Sequence, residues 1–289
     1  MKIKIIMSIY SNKPDPFFEI VIHEANSEPG LTGACAGYEE AKFRNADFAN
    51  YLFEWLPDFA MKYSELEEFN SGTAMRMVRK AAKTVYTTDK YGKRGEFGEL
   101  LLHALLREVF GSEPAISKIY YKSATNETVK GFDAVHIVES SSGLELWLGE
   151  VKFYKSATQA ISDITKEIVA HTDHNYLKNE FILIGNKIDP KWKHSAALQD
   201  LISGRKSLDE VFERVCIPAL MTYESGCVAK HSKVCDAFRD ELREEMEELH
   251  GKFGGKKLPE VRIHLFLVPL HNKAELVKIL HDKLEGLQR

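Results

Sequence analysis

The chain has 289 residues, of which 44% are hydrophobic and 28% charged, and its formal net charge is −4 at pH 7. This composition is ordinary for a soluble globular protein with one large domain, or one domain with an extension. It excludes a membrane span, because no apolar stretch approaches the roughly 20 residues that a crossing needs, and it argues against polyanion binding by the whole surface. Any contact with nucleic acid must therefore use a local basic patch.

The N-terminus and the cysteines predict a cytoplasmic protein. The segment MKIKIIMSIYS alternates lysine with isoleucine and lacks a cleavage site of small residues, so it indicates a strand and not a secretion signal. Four cysteines in so long a chain, without the dense spacing of a disulfide framework, favour reduced thiols.

Residues 1–88 are predicted to form a separate N-terminal α+β lobe. Strand-like runs at 2–7 and 17–22 precede a glycine-rich stretch near 30–37, and helical patterns follow at about 46–62 and 72–86. The second of these helices has an apolar stripe of Met75, Val78, Ala82 and Val85.

The other side of that helix is basic. It carries Arg76, Arg79, Lys80 and Lys83, and the chain continues with Lys90, Lys93 and Arg94. Such a run is either a solvated helix face or a patch that contacts the phosphates of DNA. The sequence leaves both interpretations open.

From residue 95 onward the predicted elements alternate between helices and strands. A helix (95–110) is followed by strands at 115–121, 131–138 and 144–152, a helix at 156–171 and a strand at 180–185. Helical pieces near 192–213, a strand near 214–223, an acidic helix near 230–250, a strand at 260–268 and a capped helix from about 272 complete the chain. This order favours an α/β or α+β fold with a mixed sheet covered by helices.

The segment GFDAVHIVESSSGLELWLGEVK at 131–152 contains two apolar strands joined by turn residues. A turn centred between Ser141 and Ser142 pairs residues whose numbers sum to 283, so Asp133 lies opposite Glu150. Because side chains alternate along a strand, Asp133, Glu150 and Lys152 share one face. Both faces are otherwise apolar, as in a strand that is covered on both sides.

This arrangement of charges favours a metal site. Two carboxylates opposite each other destabilise a sheet, and a poorly solvated charge costs still more. A divalent cation between Asp133 and Glu150 would offset that cost, and Lys152 supplies a further positive charge. Taken singly, each of these residues is more often structural or on the surface; the combination is what points to a cation.

The helix at 95–110 contributes further candidates. Glu96, Glu99 and His103 are spaced three and four residues apart and lie on one side of it. Acidic residues also stabilise the first turn of any helix, so either role is open.

Three other patterns are weaker. GNKID at 185–189 resembles a guanine-reading motif, but the sequence has no phosphate-binding loop, which favours a turn that closes a strand. Cys227, His231 and Cys235 could line one helical face, yet three ligands are one short of a structural zinc site. His171 and His174 are interpreted as an exposed helix end.

The order of predicted elements over residues 95–185 resembles that of the PD-(D/E)xK nuclease superfamily, whose core is αβββαβ. A helix with a glutamate is followed by a strand, a strand with an aspartate, a strand with Glu-x-Lys, a helix and a strand. On this resemblance Asp133 matches the motif aspartate, Glu150 and Lys152 match the Glu-x-Lys element, and Glu99, or less closely Glu96, matches the helix glutamate. The residues before the aspartate are glycine and phenylalanine, without the superfamily's proline.

The resemblance implies a Mg²⁺ site, with Mn²⁺ as a substitute. Asp133, Glu150, and the main-chain carbonyl of Val151 would hold the metal, which prefers oxygen ligands. Lys152 would orient or help to deprotonate the attacking water, and Glu99 would bind a second metal or a metal-bound water. Gln159, on the following helix, is a further candidate.

A closer resemblance covers nearly the whole chain. WLPDFA at 55–60, YSEL at 63–66, KYGKRGEFGELLLH at 90–103 and the late segment HLFLVPL with a lysine three residues on are similar to the nuclease subunit of the Hachiman anti-phage defence system. The resemblance implies a DNA-degrading effector that a superfamily 2 helicase subunit restrains. It assigns 89–289 to the nuclease domain and makes 1–88 the partner-docking lobe, with the acidic helix near 230–250 as the alternative dock.

Two functional alternatives stay open at this point. One is a catalytically idle subunit that binds DNA or scaffolds its partner. The other is an RNA-cleaving toxin built on the same core. Opposed carboxylates argue against the first, because a binding module has no need of them.

Overall fold

A computed structural model describes residues 9–85, 95–116, 131–141 and 143–289. The N-terminal part contains β1 (Glu19–Glu24), β2 (Gly30–Cys35), β3 (Tyr38–Glu39), β4 (Lys42–Phe43), α1 (Asn45–Glu54), α2 (Leu56–Ala60), α3 (Tyr63–Leu66) and α4 (Ala74–Val85). The middle part contains α5 (Glu96–Val109), β5 (Glu113–Ile116), β6 (Ala134–Ser140), β7 (Gly143–Phe153), α6 (Ala157–His171), α7 (His174–Gly185), α8 (Ser195–Ile202) and α9 (Leu208–Phe212). The last part contains β8 (Val215–Glu224), α10 (Gly226–Lys230), α11 (Asp236–Gly254), β9 (Arg262–Leu270) and α12 (Lys273–Gln288).

Seven of the described strands form one mixed sheet in the order β1-β2-β9-β8-β7-β6-β5. The inner pairs β2/β9, β9/β8 and β8/β7 are parallel, and the outer pairs are antiparallel. Apolar side chains pack on both faces and form two core clusters. The structure confirms the predicted α/β class with a mixed sheet covered by helices.

Strands from both sides of residue 88 pair with each other in this sheet. β2 runs parallel to β9, with Gly30 opposite His264 and Gly33 opposite Leu267. The predicted division between 1–88 and 89–289 falls outside the described residues and stays a prediction. However the chain is divided by function, β1 and β2 are structurally part of the central sheet.

The glycine-rich stretch near 30–37 forms strand β2, and its residues are buried. The glycines allow close approach of neighbouring side chains. A Cβ at Gly30 would lie 2.3 Å from His264 Nδ1, and one at Gly33 would lie 2.2 Å from Met246 Sδ. No side chain larger than hydrogen fits at these two positions without displacing its neighbours.

The β6–β7 hairpin has the predicted register. Ala134 lies opposite Gly149 and Ile137 lies opposite Leu146, so the paired residue numbers sum to 283. Leu146 and Leu148 belong to the core cluster that α6 covers, whereas Trp147, Val151 and Phe153 belong to the cluster that α5 covers. The alternation of faces deduced from the sequence is therefore correct.

Helices α5, α6 and α12 lie where they were predicted, and local capping explains two of their starts. Ser156 Oγ accepts a hydrogen bond from Gln159 N at 3.3 Å at the start of α6. Asn272 Oδ1 accepts one from Glu275 N at 3.0 Å at the start of α12. Such side-chain caps satisfy main-chain donors that have no partner within the helix. None of the described helices is both long enough and apolar enough to cross a membrane.

Helix α4 corrects one predicted stripe. Its buried side chains include Met77 and Ala81 together with Ala82 and Val85, whereas Met75 is 61% exposed. The helix packs against α2 and α12, which rotates the buried face away from Met75.

The predicted strand at 180–185 is wrong, because these residues belong to helix α7. Asp173 caps this helix by accepting hydrogen bonds from the main-chain nitrogens of residues 175 and 176. Leu177, Phe181 and Ile184 then recur at helical spacing and are buried. The strand that follows α6 in the sheet is β8, which pairs with β7. The segment GNKID therefore follows a helix and not a strand.

Candidate active site

Asp133 directly precedes β6, and its carboxylate accepts a hydrogen bond from the main chain of β7 where pairing between the two strands ends. Its main-chain nitrogen donates a hydrogen bond to Gly149 O at 2.7 Å, and its Oδ2 accepts one from Val151 N at 2.9 Å. The N–H and C=O groups of one strand residue point to the same side. The main-chain carbonyl of Val151 therefore points toward the same edge as the Asp133 carboxylate. Its role as a metal ligand stays a prediction.

Glu150 is a buried acid beside Asp133. Its side chain is only 1% exposed and lies on the face of β7 that α6 covers. Burial is the main reason why the pKa of Glu150 is raised to about 7, and the charge of Asp133 raises it further, although a contact with His171 offsets part of the effect. The chain therefore keeps a carboxyl group where ionisation is costly.

His171 contacts this acid directly. Its Nδ1 lies against Glu150 Oε1, and its ring stacks on Tyr176 with centroids 4.4 Å apart. Burial lowers the pKa of His171, but the hydrogen bond and charge of Glu150 more than compensate, so the net shift is upward. The interpretation of His171 as an exposed helix end was wrong.

A signal in the sequence could have shown that His171 faces inward. The buried face of α6 contains Ile161, Ile164 and Ile168, and His171 continues it three residues further on. A histidine at the end of an apolar stripe points toward the core, not toward solvent.

Lys152 is also engaged by helix α6. The lysine is 7% exposed, and its Nζ contacts Oε2 of Glu167, whose side chain is 42% exposed. Glu167 and His171 are four residues apart and so lie on one side of α6. The helix thus presents an acid to Lys152 and an imidazole to Glu150. Glu167 was not among the site residues predicted from the sequence.

The two helix glutamates have different environments. Glu99 is buried in the first turn of α5, and Glu96 is half-buried. Helix α5 packs on the face of β7 opposite to α6, since a Cβ at Gly98 would lie 2.6 Å from Val151 Cγ1. The helix of Glu99 is thus across the sheet from the side chains of Glu150 and Lys152. A role for Glu99 or Glu96 stays a prediction. Gln159 is exposed on the first turn of α6.

The basic stripe lies on the exposed side of α4, which includes Arg76, Arg79, Lys80 and Lys83. Lys80 Nζ is 2.7 Å from Glu65 Oε1, so one member of the stripe is paired with an acid. Lys90, Lys93 and Arg94 lie outside the described residues. Contact of this stripe with DNA stays a prediction.

Residues 15–284 match a protein-family model described as HamA. This chain therefore belongs to the HamA family. It is also similar to "anti-bacteriophage protein A" of Escherichia coli (strain K12), with 21% identity over 274 residues, which is 86% of this chain and 46% of that relative. The chain thus spans about half the length of this relative. The name of that relative refers to defence against bacteriophage.

Proposed function

We propose that this HamA-family protein is a Mg²⁺-dependent deoxyribonuclease of the PD-(D/E)xK type. The observation that carries the proposal is the buried carboxyl of Glu150 beside Asp133, with Lys152 two residues further along the strand. Each unit by which a carboxyl pKa is raised costs about 1.4 kcal/mol of folding free energy when the group is ionised. Cation binding explains why such a costly residue stands in the strand.

The chain order supports the same superfamily. Helix α5, strands β5, β6 and β7, helix α6 and strand β8 follow one another in the order αβββαβ, with α7, α8 and α9 inserted before the last strand. The segment of the chain that carries the resemblance accordingly extends to residue 224 and not to 185. β7 lies between β6 and β8, so its motif residues are in the middle of the sheet.

The donor atoms at the hairpin end suit Mg²⁺ or Mn²⁺. Asp133, Glu150 and the carbonyl of Val151 offer only oxygen, which hard divalent cations prefer. A bound cation would stabilise charge on the scissile phosphate and make an attacking water more acidic. Val151 N–H orients the carboxylate of Asp133, and His171 favours the ionised form of Glu150. Lys152 Nζ would orient the water or contact the phosphate once it leaves Glu167.

Cleavage assays with active-site variants test the proposal. Purified protein, alone and with its superfamily 2 helicase, is incubated with Mg²⁺ and either plasmid DNA or RNA. We expect Glu150→Gln and Lys152→Ala to lower DNA cleavage by roughly 10³-fold or more, because each removes a group that acts on the transition state. EDTA should abolish cleavage, and Ca²⁺ should support binding better than turnover.

Two exposed residues on the elements that carry the site supply matched controls. Glu139→Gln changes an acid on β6, and Lys166→Ala changes a lysine on α6 next to Glu167; both should cleave like the wild type. Full DNA cleavage by the Glu150 and Lys152 variants would contradict the proposal. Cleavage of RNA in place of DNA would favour the toxin alternative, and binding without cleavage would favour the idle subunit.

We extend the proposal to DNA contact by the basic stripe on α4. Reversing Arg76 and Arg79 to glutamate should weaken DNA binding and reduce the salt dependence of the binding constant by roughly one unit of slope per lost phosphate contact. Arg205→Glu, in the exposed segment after α8, is the control. If the slope of the salt dependence is unchanged, the basic stripe is a solvated helix face that does not contact DNA.

We further propose that the helicase docks on residues 1–88, with the acidic helix α11 as the alternative. A deletion of 1–88 would remove β1 and β2 from the central sheet, so surface variants are the better probe. The exposed residues Phe69 and Met75 offer such sites. If the helicase still co-purifies with the Phe69→Asp and Met75→Asp variants, the result would favour α11 as the docking site.

A further inference from the structure

A second group of metal-binding side chains lies away from the hairpin, between helices α10 and α11. One ligand atom each from Cys227, His231 and Glu241 lies within 4.8 Å of the others. Cys227 belongs to α10, His231 ends that helix, and Glu241 lies in the second turn of α11. The group therefore joins two consecutive helices.

Local structure explains how these side chains meet. Cys227 and His231 are four residues apart, which places them side by side over one helical turn. The spacing in the sequence suggested Cys235 as the third ligand, but Cys235 is the N-cap residue of α11. The third ligand in the structure is Glu241, from the far side of the connection, and His231 Nε2 is 2.9 Å from its Oε2.

The charges around the group favour a cation. Glu245 lies beside Glu241, and its Oε2 accepts a hydrogen bond from Cys227 N at 3.2 Å. One lysine offsets these acids, since Lys230 Nζ is 2.8 Å and 3.0 Å from the two oxygens of Glu241.

The donor types identify the class of metal. A sulfur, an imidazole nitrogen and a carboxylate oxygen form a mixed set that suits Zn²⁺, whereas Mg²⁺ prefers oxygen alone. Tetrahedral zinc with bonds of about 2.0–2.3 Å holds its ligand atoms roughly 3.3–3.8 Å apart. Rearrangements of the order of 1 Å would bring the three atoms to such distances.

We propose that Cys227, His231 and Glu241 bind Zn²⁺, with a fourth position left to water, and that the ion fastens α10 to α11. Binding replaces the proton on Cys227 Sγ, which is released to solvent, and forms the sulfur–zinc bond. The ammonium of Lys230 gives up the Glu241 oxygen that the ion takes. None of these residues belongs to the site at the hairpin.

Titration of the metal-stripped full-length protein with Co²⁺ tests this proposal, because a cobalt–thiolate bond absorbs light by charge transfer. We expect the charge-transfer band to saturate at one Co²⁺ per chain and to disappear when Zn²⁺ is added. Cys227→Ser should abolish the band. His231→Gln and Glu241→Gln should weaken Co²⁺ binding by more than about tenfold, the least that the loss of a supporting partner usually costs.

Two controls separate this site from other metal binding. Cys216→Ala removes a different buried thiol, on β8, and should leave the band intact. Glu150→Gln should also leave it intact, whatever its effect on DNA cleavage, so the two proposals fail independently.

Circular dichroism checks that each variant is folded. If Cys227→Ser fails to fold, the less buried His231 and Glu241 variants decide the question. Absence of the charge-transfer band in the wild type, or Co²⁺ affinity unchanged in the His231 and Glu241 variants, would overturn the proposal.

Discussion

Two acids, Asp58 and Glu150, each contact a histidine, and their pKa values move in opposite directions. Asp58 Oδ1 lies 2.9 Å from His103 Nε2 on α5, and the pKa of Asp58 is lowered. Glu150 Oε1 contacts His171 Nδ1 on α6, and the pKa of Glu150 is raised. A histidine partner alone therefore does not determine whether a buried acid is stabilised as a charge.

The surrounding charges explain the difference. Burial raises the pKa of both acids, but at Asp58 the hydrogen bond of His103 and the charge of Arg107 outweigh it. Arg107 Nε is 3.3 Å from Asp58 Oδ1. At Glu150 the neighbouring Asp133 adds a like charge instead. The first acid has its cation within the chain, whereas the second is suited to a cation from outside.

The network around Asp58 has a structural role. His103 Nδ1 is 3.2 Å from His136 Nε2, and Ser112 Oγ is 2.8 Å from His136 Nδ1. Arg107 Nη2 donates to Tyr10 O at 2.7 Å. These contacts tie α2, α5 and β6 together. His103 therefore serves this network, although its spacing from the helix glutamates also fitted a place in the active site.

The largest effect on stability should come from neutralising Asp58. Asp58→Asn leaves the buried guanidinium of Arg107 without a counter-charge, which should lower the free energy of unfolding by about 3 kcal/mol or more. Denaturant unfolding measures the change. Asp47→Asn is the control, because its pair with Arg44 is partly exposed and is worth well under about 1 kcal/mol. Equal effects of the two substitutions would show that Asp58 does not balance a buried charge.

Neutralising Glu150 should have the opposite sign. A folded-state pKa of about 7, above the ordinary value, means that folding favours the protonated acid. The contribution of protonated Glu150 to the free energy of unfolding is therefore fully present below pH about 4.5, and it is lost as the pH rises through 7. Glu150→Gln removes this loss, so in metal-free buffer at pH 8 the variant should be more stable than the wild type by roughly 1–2 kcal/mol. This range allows for the lost contact with His171.

The pH dependence distinguishes this explanation from simple repacking. The gain from Glu150→Gln, measured by thermal or denaturant unfolding, should shrink toward zero at pH 4.5, where Glu150 is protonated in both states. A gain that is the same at pH 4.5 and pH 8, or a loss at pH 8, would show that the ionised carboxylate is not the source of the cost.

The smallest effects should come from the two residues of α6. His171→Asn should raise the Mg²⁺ concentration needed for half-maximal cleavage by about tenfold, as the loss of a partner that supports a metal ligand does. Glu167→Gln should change the rate at saturating Mg²⁺ by a similar factor or less, because it touches Lys152 and not a metal ligand. Glu167→Asp should restore part of the rate.

The His171 variant distinguishes a role in metal binding from a role in folding. If His171 serves the metal site, its variant acts on the Mg²⁺ requirement, whereas a histidine that only stabilises the fold would change the unfolding free energy and leave that requirement alone. Lys166→Ala, on the exposed side of the same helix, should alter neither quantity.

The register of the hairpin, and with it the face that Asp133, Glu150 and Lys152 share, could be deduced from the sequence. Turn chemistry and the alternation of side chains are local, so the register between β6 and β7 followed from one short segment. The helices at 95–110 and 156–171 were equally accessible, because their apolar periodicity and capping residues are near each other in the chain.

Tertiary structure alone decided which distant elements meet. The apolar run at 180–185 fits both a strand and a helix, and Asp173 with the buried side of α7 selected the helix. Pairing of β2 with β9 and the contacts of Glu167, His171 and Glu241 join residues that no local pattern links. Such contacts depend on how the helices lie on the sheet, and that is set by packing over the whole core, not by any single segment.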